Sequence, residues 1–191
     1  PGRRHHSRTR QIQALIIMSN NLATVTIPAA SLRQAMRIVV RAFGSHEDEV
    51  AAVADNLVDA NLMGHDSHGI GMLPRYADAY LEGGLVPNAH VSTLLDAGAI
   101  LRLDGNAAFG QVAGREAMAL GIARARQLGC AIVALGHAHH LGRIGAWAEQ
   151  CAAAGLVSLH FVNVIARPMV APFGGARAAF GTNPFTAGVP L

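Results

Sequence analysis

Two groups of histidines stand where they could move protons. One is the run Gly136-His137-Ala138-His139-His140-Leu141-Gly142-Arg143-Ile144-Gly145, and the other is Gly64-His65-Asp66-Ser67-His68-Gly69. Imidazole changes charge close to neutral pH, so it is the side chain best suited to general acid/base work there. Arg143 follows His140 by three residues, a spacing that puts both on one side of a helical turn. A histidine could then face a reacting oxygen while the guanidinium fork holds a neighbouring carboxylate. Ser67 precedes His68, and Tyr76 follows it at a spacing that can share its face. Together the two groups point to an enzyme.

The surrounding pattern says what must position these residues. Cys130 to Leu135 reads as a short buried strand running into the second histidine group, and residues 143–154 as a helix ending near Gly155. A strand end followed by titratable residues and a glycine turn is where α/β proteins commonly place chemistry. Upstream, residues 31–43 have helical periodicity, and Ser45-His46-Glu47-Asp48 reads as a capping box with Asp in the usual Glu position. That box opens a helix carrying Val50, Val53, Ala54 and Leu57 on one face, with Gly64 as its stop. Asp66 or Ser67 can cap a further segment, which Pro74 must restart or kink. Gly83-Gly84 closes the helical region, and a hairpin follows from Val91–Leu95 to Ile100–Leu103. Residues 111–128 form an amphipathic helix, and 156–163 a strand. Three parts are expected: 1–17 as added or upstream sequence before a start at Met18, a helical region over 18–88, and an α/β region over 89–191. The apolar run Phe185 to Leu191 has neither cap nor tail and reads as a truncation.

Composition narrows the classes. A hydrophobic fraction of 51% with only 14% charge excludes a disordered chain. A surface so poor in charge points to cover by a partner subunit or by further sequence. The formal charge of +3 comes from the N-terminus, where Arg3, Arg4, Arg8 and Arg10 all precede Met18. The rest is close to neutral, against nucleic-acid binding. Every cation is arginine, so lysine Schiff-base chemistry and a P-loop lysine are excluded within these residues. No complete GxGxxG occurs, so an ordinary Rossmann site is not supported. Cys130 and Cys151 read as buried reduced thiols, fitting a cytoplasmic compartment. No apolar run is long enough for a membrane span.

The ordered motifs Gly64-His65-Asp66-Ser67-His68-Gly69, Leu103-Asp104-Gly105, His140-Leu141-Gly142, Pro172-Phe173-Gly174-Gly175 and Phe180-Gly181-Thr182-Asn183-Pro184 resemble the malate/L-lactate dehydrogenase family, which is distinct from the Rossmann-type enzymes. Ser67 to Met72 and His139 to Gly145 are most similar to its hydroxycarboxylate dehydrogenase B-like branch. The resemblance runs from about Ser31 to Leu191, roughly the N-terminal half of a member. It implies an α/β fold of that non-Rossmann type, NAD(P)-dependent interconversion of 2-hydroxy and 2-oxo acids, and a homodimer. It implies His140 as an acid/base residue, with His68 also catalytic, and NAD as cofactor, with NADP open. Gly142 and the motif Gly181, Thr182, Asn183 and Pro184 are implied to lie toward the cofactor. Two positions depart from the family. Met72 stands where many members have a carboxylate-binding arginine, and His137-Ala138 stands where Asn-Ser is usual. Arg143 is therefore expected to bind the substrate carboxylate, with Arg75 behind it, and Ser67 and Tyr76 to line the substrate site.

Each of these residues also has a plainer reading. His140 could cap a helix, His68 could bond Asp66, Ser67 could be an N-cap, Tyr76 could be packing, and Gly181 to Pro184 could be a turn. Arg143 could pair with Glu149 or Glu116 on the surface. A non-catalytic dimerisation module is the alternative function. A histidine-cluster metal protein comes third, although no metal is expected because HExxH, CxxC and facial-triad spacings are lacking.

Overall fold

The computed structural model describes residues 25–165 and 168–191. The expected start at Met18 and everything before it lie outside them. Two long helices, α1 (Ala29–Arg41) and α2 (Glu47–Leu62), precede two short 3₁₀ turns at Asp66–His68 and Ile70–Met72, and α3 (Leu73–Leu81). Strands β1 (Ser92–Ala97) and β2 (Ile100–Asp104) form the hairpin, α4 (Gly110–Leu128) crosses over, and β3 (Ile132–Gly136) lies parallel to β2. Then come α5 (Gly145–Ala153), β4 (Ser158–Phe161) and β5 (Phe185–Gly188), the last two paired antiparallel as a second sheet. Among the described residues no helix is long and apolar enough to cross a membrane.

The helical region is held by its apolar faces. Val40, Phe43, Val50, Val53 and Leu57 pack with Met72, Tyr76 and Phe109 in one buried cluster, so α4 is docked onto the N-terminal helices through its first turn. Burial of a Val, Leu or Phe side chain contributes about 1.5–3 kcal/mol each, which makes this joint stiff. A smaller cluster of Leu101, Leu103 and Ala117 fixes α4 on one face of the three-stranded sheet.

Three local expectations are corrected. The capping box does not form: His46 is the N-cap of α2 and its side chain makes no cap bond. Asn88, from a distant loop, takes over. Its Oδ1 accepts the His46 backbone N–H at 2.7 Å, and its Nδ2 donates to the Gly44 carbonyl at 2.9 Å. Glu49, the third helical residue, accepts the Asn88 backbone N–H at 3.0 Å instead of reaching back to its own cap. β3 is an edge strand covered on one face only by α4, so its residues alternate between half-buried and exposed. Cys130, just before it, is exposed, and only Cys151 is buried.

Candidate active site

The two histidine groups meet. Their meeting depends on how each loop is pinned. After α2, Gly64 turns the chain in the left-handed region at φ 72°. The Asn61 side chain then clamps the following turns, its Oδ1 accepting the Ile70 N–H at 2.9 Å and its Nδ2 donating to Asp66 at 2.5 Å. A Cβ at Gly69 would overlap that Asn61 carboxamide. The second loop is stitched to residues 105–108: Gly105 N–H donates to the Gly136 carbonyl, Ala107 N–H to His137, and His139 N–H to Ala108, at 2.8, 2.8 and 3.1 Å. Trp147 Nε1 donates to the Leu141 carbonyl at 3.1 Å and holds the far end of the loop. Gly110 opens α4 directly against this loop, and a Cβ there would collide with the His140 carbonyl.

The result is a cluster of four imidazoles and a phenol. The rings of His68 and His140 lie 5.1 Å apart, those of His65 and His68 4.4 Å, and those of Tyr76 and His139 5.3 Å. Tyr76 is fully buried, and its hydroxyl lies 2.9 Å from His140 Nδ1. Gln111, in the first turn of α4 and 1% exposed, donates from Nε2 to the same hydroxyl at 2.8 Å. Ser67 Oγ lies 2.9 Å from His68 Nδ1.

The electrostatics follow from burial without a counter-charge. Desolvation first, then the neighbouring His68, His139 and Arg75, push the proton affinity of His140 down to about 4. His68 is lowered by burial and by His65, and His139 by burial. Burial raises the Tyr76 phenol to about 12. At neutral pH the centre of the cluster therefore holds a neutral imidazole and an intact phenol.

Tyr76 has one hydrogen, and its lone pairs face Gln111 Nε2–H. The hydrogen is left for His140 Nδ1, so the imidazole carries its own proton on Nε2. A neutral imidazole of this form offers an N–H to an incoming oxygen and can refill from Tyr76 behind it.

The remaining sequence candidates fall into distinct places. Arg143 does not sit free: its fork is held by Glu149 in a bidentate pair at 2.8 and 2.7 Å, and its charge is not among those acting on His140. Arg75 is exposed, has no ion pair among the described residues, and is near enough to lower the proton affinity of His140. Met72 is buried in the apolar cluster and serves there as packing. His137 leans away onto Asp104, Nδ1 to Oδ1 at 2.8 Å. Gly142 turns at φ 71°, where a Cβ would overlap the Asn56 carboxamide. Asn183, at φ 38°, accepts the Val164 N–H at 3.2 Å beside Gly181, Thr182 and Pro184. Next to it a cleft of about 380 Å³ is lined by Phe161, Val162, Asn163, Asn183, Pro184 and Phe185. Among the described residues no group of three or more His, Cys, Asp or Glu side chains is arranged to hold a metal ion.

Gln111 was not named as a site residue, and His139 stood only as a member of the second histidine group. The one signal for Gln111 is a polar residue in a first helical turn otherwise made of Gly110, Val112, Ala113 and Gly114, all buried.

Comparison with known proteins finds relatives for the chain as a whole. A family model described as malate/L-lactate dehydrogenase matches residues 27–191. The chain is 58% identical over 157 residues to hydroxycarboxylate dehydrogenase B of Escherichia coli K12, covering 82% of this chain and 44% of that protein. It is 41% identical over 166 residues to an L-lactate dehydrogenase of Cupriavidus necator, covering 86% and 48%. The solved malate dehydrogenase of Pyrococcus horikoshii superposes with a TM-score of 0.80 at 33% identity, covering 87% of this chain and 47% of that one. The chain thus spans slightly under half the length of the relatives it matches.

Proposed function

The chain belongs to the malate/L-lactate dehydrogenase family, and on that premise we propose that it supplies the acid/base half of an NAD(P)-dependent 2-hydroxy acid dehydrogenase. The observation that carries the reading is His140: half-buried, neutral and backed by a phenol, with His68 beside it. When bound, the nicotinamide supplies or accepts the hydride. Everything else belongs to side chains of this chain.

His140 Nε2–H donates to the carbonyl oxygen of a 2-oxo acid. As negative charge grows on that oxygen, it takes the Nε2 proton, and Nδ1 takes the hydrogen-bonded proton of Tyr76. The imidazole stays neutral and the charge moves to the Tyr76 oxygen, which Gln111 Nε2–H faces. A phenol with a pKa of about 12 is a better place for that charge than a free alkoxide. The reverse sequence removes the hydroxyl proton from a 2-hydroxy acid. His68 closes the cluster on the other side of His140, held through Ser67. Tyr76 acts from behind the imidazole, since its hydroxyl is fully buried. Arg75 is the cation best placed for the substrate carboxylate, while Arg143 has Glu149.

The cleft beside Asn183 suits a flat ring bearing a carboxamide: Phe161 and Phe185 supply apolar walls, and Asn163 and Asn183 supply amide groups. Gly181, Thr182, Asn183 and Pro184 would hold the cofactor there. NADH is the preferred form, a homodimer the working assembly and the cytoplasm the location. The test is the loss of NADH or NADPH absorbance with the full-length protein and a panel of 2-oxo acids. Turnover that disappears in His140→Ala supports the reading. Folded protein with no turnover from either cofactor overturns it in favour of a non-catalytic module.

A further inference from the structure

We infer that Gln111 is a positioning residue that sets which nitrogen of His140 carries the proton. The inference uses the proposed acid/base role of His140 to give the tautomer its meaning, but the tautomer itself can be read without any reaction.

Three observations carry it. Gln111 is 1% exposed and reaches His140 only through Tyr76, in the chain Gln111 Nε2–H to Tyr76 Oη at 2.8 Å and Tyr76 to His140 Nδ1 at 2.9 Å. A phenol donates one hydrogen, so what residue 111 presents decides where that hydrogen goes. An N–H from residue 111 fills a lone pair of the oxygen and turns the hydroxyl toward His140, which leaves the imidazole proton on Nε2. An acceptor from residue 111 would draw the hydroxyl away, and His140 would turn donor at Nδ1.

The second observation fixes the direction. Gln111 Oε1 is buried and has no hydrogen-bond partner. Reversing the amide would put two N–H donors in that unpartnered place. A bare buried N–H pair is costlier than an under-satisfied carbonyl, so the observed orientation is the cheaper one. The third is that the amide cannot drift. Gln111 lies in the first turn of α4, immediately after Gly110, whose α-carbon is pressed against the His140 carbonyl. The helix that carries the amide and the loop that carries the imidazole thus move together.

In the proposed reaction this makes the enzyme arrive with a hydrogen-bond donor aimed at the substrate oxygen. It also leaves an N–H facing the tyrosine oxygen when that oxygen takes up charge. Gln111 touches neither substrate nor cofactor. Its effect runs through Tyr76, so it belongs to the transition state more than to substrate binding.

The test is ¹⁵N-histidine NMR on the full chain, with the His140 signals identified by their loss in His140→Gln. The wild-type protein at neutral pH is expected to show His140 protonated at Nε2 and bare at Nδ1. Gln111→Met removes the donor and should shift the tautomer ratio at least about tenfold toward Nδ1–H. Gln111→Glu, at a pH where the carboxyl is ionised, can only accept and should move His140 to Nδ1–H outright. In the full-length enzyme Gln111→Met should lower kcat about tenfold with KM for the 2-oxo acid nearly unchanged. A wild-type Nδ1–H tautomer overturns the inference. So does an unchanged Nε2–H tautomer in either variant with amide dispersion retained. If Gln111→Met does not fold, the wild type and Gln111→Glu decide. A tautomer that responds in a protein without turnover would sustain Gln111 while removing the dehydrogenase reading. Turnover with an unresponsive tautomer would do the reverse.

Discussion

His140 and His90 are the same residue in opposite surroundings. His140 has a phenol, two imidazoles and an exposed arginine for neighbours, and burial keeps it neutral. His90 lies at the surface with Nδ1 2.6 Å from a Glu116 oxygen, and that carboxylate raises its proton affinity. His137 resembles His90, facing Asp104 at 2.8 Å. Carboxylates thus stand beside the histidines at the loop margins, and none partners the one at the centre. A carboxylate on His140 would hold it charged and lock Nδ1 as a donor; the phenol leaves it neutral and reversible.

The sharpest break in that contrast is loss of the central imidazole. His140→Ala should reduce turnover by about 10²–10⁴-fold, the range for removing a general acid/base group, whereas His90→Ala should leave it within about twofold. Steady-state kinetics on the full-length protein compare the two. Gly110→Ala comes next, because its methyl would strike the His140 carbonyl. We expect a loss of roughly 2–3 kcal/mol in stability and at least tenfold in turnover, the first read by urea unfolding.

The third difference is one of sign with pH. His140 has its pKa lowered from 6.5 to about 4 on folding. The unfolded chain therefore takes up a proton between those values while the folded one does not, and stability falls as pH drops. The loss amounts to about 2 kcal/mol between pH 7 and 5, with His68 and His139 adding in the same direction. His140→Gln should flatten this slope in urea titrations at the two pH values. His90 works the other way. Its pKa is raised, so its contribution is present at low pH and fades as pH climbs through the folded value. Being exposed, it contributes only a few tenths of a kcal/mol. His90→Gln should change the stability at pH 5 by that amount or less, the smallest effect of the four.

The sequence spoke most clearly where periodicity and glycine placement agree. Residues 111–128 were expected as a helix and α4 spans Gly110–Leu128; the hairpin strands and the Gly64 stop were equally plain. It spoke least clearly where a distant residue took over a local job. Asn88 caps α2 from 42 residues away, and nothing near Ser45 announces it. The candidate site shows the same division. His68 and His140 were legible from residue type and motif, and Tyr76 from its spacing after His68. Gln111 was hardly legible, because one amide in an apolar first turn names no partner; only its contact with a buried phenol gives it meaning. For Arg143, helical spacing shows which side an arginine faces and not whether a glutamate already occupies it, as Glu149 does here.

The Tyr76–His140 bond joins residues 64 positions apart, and the Gln111–Tyr76 bond spans 35. Closing such loops costs chain entropy that local helices do not incur, and contacts of this separation are gained late on a folding path. A partly folded chain with α1, α2 and α3 in place would contain His68 and Tyr76 but no relay, since α4 and β3 must first dock to bring in Gln111 and His140. The hydrogen-bonded chain from Gln111 to His140 and the docking of those elements arise together, so protection of the Tyr76 hydroxyl proton from exchange would mark that docking.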